Sequence, residues 1–301
     1  MKVSVRVYNT MIFYLSDLHI TDTKPINRQD DVKVASLYKL DYVLKTAKER
    51  NATVIFGGDI FETPKPSYGM LNAVMEILKL YKVPVYSIIG NHDVIGANLE
   101  EETSAIFTLF KSGLVKHLDT LEIGNLFIKG LDYTKEIKDE YFFEETEKKK
   151  VLVTHAPLVP EKALFPHVVL SDFKTNANLV LCSHIHKFWS LKVNNTLFLS
   201  PGCMTRLKTN EKDNEPLFFV IDETTKPMVK VEKIPLIYKA DFVEKTVEDA
   251  VSIFGGSLVE DKIEAPKIEQ AILSSTYTEE IKNHCIDRIS QVRSALNDKQ
   301  K

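Results

Sequence analysis

Five short apolar runs in this chain each end in a cluster of side chains able to bind a metal, and that recurrence restricts the fold more than any other feature. Met11-Ile12-Phe13-Tyr14-Leu15 delivers Ser16-Asp17-Leu18-His19, and Thr53-Val54-Ile55-Phe56 delivers Gly57-Gly58-Asp59. Val83 to Ile89 delivers Gly90-Asn91-His92-Asp93, Val151-Leu152-Val153 delivers Thr154-His155, and Leu179 to Cys182 delivers Ser183-His184-Ile185-His186. Short continuous apolar runs bounded by Gly, Ser and Asn read as buried strands. Between them, Leu37, Leu40, Val43, Leu44 and Ala47 mark one helix face, and Leu71, Val74, Ile77, Leu78 and Tyr81 mark another. The second half adds hairpins around Gly124-Asn125 and Asn194-Asn195 and a last strand at Leu217 to Ile221. Alternating strands and helices followed mostly by strands predict an α/β fold, two mixed β-sheets packed face to face and flanked by helices.

Two terminal regions differ in texture. Val3, Val5 and Val7 alternate as in an edge strand. After Pro235 the pattern turns to helix-like segments broken by Gly255-Gly256 and Pro266. The expected organisation is therefore a catalytic domain over 1–235 and a small helical C-terminal appendage over 236–301. Within the latter, Val243, Val247, Ala250, Val251 and Phe254 share one face, and Thr276-Tyr277-Thr278-Glu279 reads as a capping box. That box opens a helix with Ile281, Cys285, Ile289, Val292 and Leu296 on one side, a stripe suited either to a partner helix or to its own domain.

Composition removes several function classes. A formal net charge of −3 argues against a generally basic nucleic-acid binder, while leaving room for a local basic strip. No apolar run reaches the 18 residues of a membrane span, and no secretory h-region is evident. Cys182, Cys203 and Cys285 lie far apart without a CxxC pair, which fits a reducing, cytoplasmic location and small buried side chains.

The chemistry concentrates after the strands, where α/β folds build their sites. Asp17, His19, Asp59, Asn91, His155, His184 and His186 offer oxygen or imidazole nitrogen and no thiolate. This set suits manganese, iron or zinc in a hydrolytic site over a structural zinc knot. A lone histidine after a strand is usually structural, but five of the eight histidines fall in these segments, and only His117, His167 and His284 lie outside. On an extended strand end, residues two apart point the same way, so Asp17/His19 and His184/His186 should each act as a pair.

Asp17-x-His19, Gly58-Asp59, Gly90-Asn91-His92-Asp93, His155 and His184-x-His186, in this order, closely resemble the signature of the calcineurin-like metallophosphoesterases. The resemblance covers roughly residues 11 to 206. It implies two divalent metal ions, with manganese preferred. One is held by Asp17, His19, Asp59 and His186, the other by Asp59, Asn91, His155 and His184, with Asp59 bridging. His92 is then the group that stabilises the transition state or protonates the leaving oxygen. Asp93 either orients that imidazole or serves the turn. Ser183 stands where the family usually has glycine.

Within the family, Gly58-Asp59-Ile60-Phe61-Glu62 lacks the Asp-Arg-Gly of the protein phosphatases. Together with Pro66-Ser67 and Ser200-Pro201-Gly202 it resembles the SbcD-type DNA repair nucleases, although Cys203 replaces a frequent serine and no role for Glu62 carries over. That branch implies DNA as substrate and an SbcC-like ATPase partner, bound by helices beyond the catalytic domain; a homodimer is also compatible. A small-substrate or cyclic-nucleotide phosphodiesterase is the alternative, and a non-catalytic scaffold the third reading. Lys65, Arg206 and Lys208 lie near the motifs and are candidates for a phosphate track. Lys148-Lys149-Lys150 should lie at the opposite end of the sheet.

Overall fold

The computed structural model describes residues 10–97, 102–136, 138–236 and 242. The alternating valines before residue 10 and, apart from Phe242, the two predicted C-terminal helices lie outside them. The first half runs β1 (Met11–Leu15), α1 (Val32–Glu49), β2 (Thr53–Phe56), α2 (Tyr68–Tyr81), β3 (Val85–Ser87), α3 (Ala105–Lys111) and β4 (Lys116–His117). There follow β5 (Thr120–Ile123), β6 (Leu126–Leu131), β7 (Glu140–Tyr141), β8 (Lys149–Thr154), β9 (Leu158–Val159), β10 (Val168–Val169) and β11 (Lys174–Thr175). The chain continues through β12 (Leu179–Cys182), β13 (Phe188–Val193), β14 (Thr196–Pro201), β15 (Leu217–Asp222) and β16 (Val229–Lys233).

Two mixed six-stranded sheets result, ordered β16-β15-β1-β2-β3-β4 and β13-β14-β12-β8-β6-β5. The strands that carry the candidate residues run parallel to one another within each sheet, β1 with β2, β2 with β3, and β8 with β12, while β15 pairs antiparallel on the other side of β1. Parallel strands joined by crossovers are buried on both faces, and β1 shows why the run is continuous in sequence. Ile12 and Tyr14 face the second sheet, where they pack with Ile55, Val151, Val153, Leu179 and Leu181. Phe13 and Leu15 face outward onto Leu40, Val43 and Leu44 of α1 and Val74 and Leu78 of α2. Helices thus cover the outer face of the first sheet. The second sheet's outer face, with Leu152, Val180 and Phe198, is covered by side chains such as Phe143, Leu158, Leu170 and Phe173, from loops and short strands.

Local signals place the helices. The Asp31 carboxylate accepts the Val34 N–H at 3.1 Å at the start of α1, and the Ser67 hydroxyl accepts Met70 N–H at 3.1 Å at the start of α2. Lys82 ends α2 in a left-handed turn, φ 53°. That turn shortens the strand predicted over Val83 to Ile89 to three residues at its start. At its end, Ile89 N–H is taken by the Asp132 carboxylate at 2.8 Å. Both predicted hairpins form, with Ile123 opposite Leu126 and Val193 opposite Thr196. Lys148 pairs with Glu122 beside the start of β8, away from the end that carries His155. Among the described residues no helix is long and apolar enough to cross a membrane.

Candidate metal centre

The carboxyl ends of β1, β2, β3, β8 and β12 converge, and all seven predicted donors meet there. Asp17, His19, Asp59 and His155 are buried, and His184 and His186 are partly so. The Nε2 atoms of His19 and His186 face each other at 3.0 Å, with Oδ1 of Asp17 4.0 and 3.7 Å from them. On the other side, Oδ1 of Asn91 lies 3.0 Å from His155 Nε2 and 2.8 Å from His184 Nδ1. Oδ2 of Asp59 stands between the two groups, 3.7 Å from His19 Nε2 and 3.3 Å from His155 Nε2. Asp17, His19 and His186 present donor atoms within 4.8 Å of one another, as do Asp17, Asp59 and His155. Converging imidazole nitrogens and carboxylate oxygens without thiolate fit borderline to hard divalent cations.

The backbone differs from the extended strand ends that the sequence suggests. Asp17 (φ 49°), His19 (φ 45°), Asp59 (φ 53°) and His184 (φ 73°) all adopt left-handed conformations. Each costs about 1–3 kcal/mol and persists only where surroundings impose it. For Asp17 and His19, the four fully buried side chains of Ile12 to Leu15 supply more, about 1.5–3 kcal/mol each. Two glycines let the strand ends approach. A Cβ on Gly58, itself at φ 89°, would lie 2.7 Å from Gly90 N, and one on Gly90 would lie 2.6 Å from Asp59 N.

Asp93 serves the turn. Its carboxylate accepts the N–H groups of Asp59 (2.8 Å), Gly90 (2.9 Å) and Ile60 (3.0 Å), locking the β2 and β3 loops together. The expectation that it orients His92 gives way to another contact: His92 Nδ1 lies 2.7 Å from the Glu62 carbonyl oxygen. The His92 amide donates to Asp59 Oδ1 at 2.7 Å, and its ring stands edge-on to His19 with centroids 4.8 Å apart. Ser183, buried, places its hydroxyl 2.9 Å from Tyr14 OH and leaves the donor cluster untouched.

Two carboxylates behind the histidines were not read from the sequence. Glu62 Oε2 lies 2.6 Å from His19 Nδ1, in ion-pair range though out of line for a hydrogen bond. Glu211 Oε1 lies 2.6 Å from His186 Nδ1, while Oε2 accepts the Leu207 and Lys208 amides at 2.8 and 3.0 Å. His155 Nδ1 is instead backed by the Gly57 carbonyl at 2.7 Å. Such outer partners fix ring orientation and raise ligand basicity.

Electrostatics match the cluster. Burial opposes charge on Asp59, but the adjacent His155 and His19 rings outweigh it and hold its pKa well below the usual carboxylate range. Burial likewise lowers the His155 pKa, yet Asp59 and Asp17 raise it to about 10. For His184, burial and the nearby His155 charge pull it down to about 4. Glu211 sits at about 2, because the His186 hydrogen bond and the backbone amides overcome burial. Burial pushes the Cys182 and Cys203 thiols up, so both act as inert packing.

The donors floor one end of a cavity of about 750 Å³. Lys208 stands at its rim, and Lys65 borders a neighbouring hollow with Asn91 and His92. Arg206 is no surface cation: it is buried, with its guanidinium 5.6 Å from the Phe242 ring centre. His117 and His167 lie outside the centre, against Asp132 and the Phe165 carbonyl.

A family model described as calcineurin-like phosphoesterase matches residues 11–188. The DNA double-strand break repair protein Mre11 of Methanococcus maripaludis is 27% identical over 208 residues, 61% of this chain and 54% of that protein. The protein of the same name from Methanosarcina mazei is 26% identical over 219 residues, 65% of this chain and 34% of its own length. The chain thus spans about half the length of the first relative and a third of the second. Among solved structures, the TT1561 protein of Thermus thermophilus superposes with a TM-score of 0.47 at 14% identity, covering 75% of this chain and 100% of that one.

Proposed function

The chain belongs to the calcineurin-like phosphoesterase family, and we propose that within this family of divalent-metal hydrolases it is a DNA nuclease that cuts phosphodiester bonds. The observation that carries the reading is the convergence of seven oxygen and nitrogen donors around the shared carboxylate of Asp59. Asp17, His19, Asp59 and His186 would hold one cation, and Asp59, Asn91, His155 and His184 the second. When bound, the pair supplies an activated water and stabilises charge on the phosphoryl oxygens, with manganese the preferred metal.

The protein's own groups do the rest. Asp59 takes the His92 amide on one carboxylate oxygen and turns the other toward both histidine groups. A carbonyl oxygen can only accept, so the Glu62 carbonyl fixes the proton on His92 Nδ1. Nε2 is then the atom left to hold or release a proton at the leaving oxygen. The Glu211 carboxylate holds the His186 ring by a hydrogen bond, and the Glu62 carboxylate stands in ion-pair range of His19.

DNA is favoured over a smaller phosphodiester because both distant relatives carry the name of a DNA double-strand break repair protein. Exposed Lys65 and Lys208 flank the donors as contacts for neighbouring phosphates. The resemblance to SbcD-type nucleases and the apolar stripe of Ile281, Cys285, Ile289, Val292 and Leu296 support docking of an ATPase subunit of the SbcC type on the segment 236–301. The test offers manganese-loaded protein linear duplex DNA, single-stranded DNA, cyclic nucleotides and an aryl phosphodiester. Chelator-sensitive DNA cleavage is the expected result. Hydrolysis of the small substrates with DNA left intact would overturn the nuclease assignment and leave the phosphoesterase one.

A further inference from the structure

The cavity above the donors has a second wall that neither holds a metal nor moves a proton. Phe165 and Phe188 line it with 45% and 47% of their surfaces exposed. Trp189, the only tryptophan of the sequence, also borders it, with Val159, Pro160, Ala163 and Ile185 as further apolar lining. Open aromatic rings that share one cavity with the donor cluster are suited to stack on a base. Bases stack on such rings whatever their identity, because every base has a π-face. Charge is distributed to match. Lys187 and Lys208 line the cavity as cations, and Glu161 lies on its lining near Pro160, so a neutral ring is favoured there over a second phosphate.

We propose that Phe165 and Phe188 form a base-stacking subsite for the unpaired nucleobase of the nucleotide whose phosphate sits on the donor cluster. The inference rests on the nuclease reading and deepens it, since a base reaches this wall only after leaving its own stack. Unstacking costs least in single strands and frayed ends. The protein therefore prefers single-stranded or frayed DNA over blunt, fully paired duplex.

The test compares two ligands with the same phosphate on manganese-loaded protein by calorimetry: thymidine 5′-monophosphate and 2-deoxyribose 5-phosphate. The nucleotide should bind about ten-fold more tightly, the scale of one stacked base, and should change Trp189 fluorescence where the sugar phosphate does not. Phe165→Ala and Phe188→Ala should each shrink that ratio while leaving sugar-phosphate binding unchanged. Phe188 lies near Phe219 (ring centres 6.1 Å apart), so Phe188→Leu, which keeps apolar bulk without the stacking face, is the companion variant and should also lose the ratio. Equal affinities in the unmodified protein, no nucleotide binding, or a ratio that survives the double variant would each overturn the subsite. In cleavage assays the wall variants should slow single-strand cutting more than duplex cutting, and equal slowing would count against the preference. Base discrimination without DNA cleavage would remove the nuclease reading and keep the subsite. Sugar-phosphate binding without base discrimination would do the reverse.

Discussion

Replacing Glu211 with glutamine tests how far an outer carboxylate sets the metal centre. Glu211 is 4% exposed and accepts three hydrogen bonds, from His186 Nδ1 at 2.6 Å and from the Leu207 and Lys208 amides at 2.8 and 3.0 Å. Glutamine keeps the volume but has one acceptor oxygen and one NH₂ group. Whichever way it turns, an NH₂ faces either the imidazole N–H or the two amides, and the negative charge behind His186 is gone. Hydrogen bonds to charged partners are worth roughly 1.5–3 kcal/mol. Outer-partner losses at metal-ligating histidines cost about 10–100-fold in affinity, which is about 1.4–2.8 kcal/mol. The Lys208 amide belongs to an exposed residue that water can reach, so the stability loss should stay near 1–2 kcal/mol, a fall in Tm of about 2–8 °C. A manganese titration against a competing fluorescent chelator, beside a thermal melt in EDTA, separates the two effects. If Glu211→Gln melts lower yet binds manganese within two-fold of the unmodified protein, Glu211 is only a loop anchor and the reasoning fails.

Three further outcomes follow, two from the structure and one from the sequence of the C-terminal segment. His92→Ala should retain its metal content by elemental analysis while losing about 10²–10⁴-fold in turnover on substrates with poor leaving groups; near-normal turnover would refute the proton-transfer role. The Asp132 hydrogen bond raises the His117 pKa against partial burial, so this pair's stabilisation is complete below the unfolded value of about 6.5 and is lost as pH rises through the folded value. Tm should therefore fall above pH 6.5, and His117→Asn should flatten that fall; parallel curves would contradict it. Truncation after Thr276 should abolish co-purification with an SbcC-like ATPase while short DNA substrates are still cut. A sharp loss of solubility would assign the stripe to the protein's own core.

The strands, their order of delivery and the donor set were legible because each depends on a few adjacent residues. Ile12 to Leu15 must be apolar at every position when a strand is covered on both faces. What lay hidden depends on partners far away in sequence. Asp and His visit the left-handed region more readily than most residues, but residue type alone does not single out Asp17, His19, Asp59 or His184 for it, and packing imposes that conformation. Glu211 belongs to no motif and reaches His186 only through the intervening β13–β14 hairpin and the segment that follows it. Arg206 reads as a surface cation and is buried beneath Phe242. Lys39 adjoins an apolar helix position and is buried too, donating to the Met204 carbonyl at 2.9 Å behind the donor loops. Asp93 sits next to His92 in sequence, which suggests a pair, but three backbone amides claim its oxygens first.

The centre itself is tested most directly by counting metal. Protein saturated with manganese, freed of excess ion and analysed for bound metal should carry about two equivalents per chain. Asp59→Asn should lower both occupancies together, because Asp59 Oδ2 faces both histidine groups. A saturated stoichiometry of zero or one, or an Asp59→Asn protein that keeps both ions, would contradict the account.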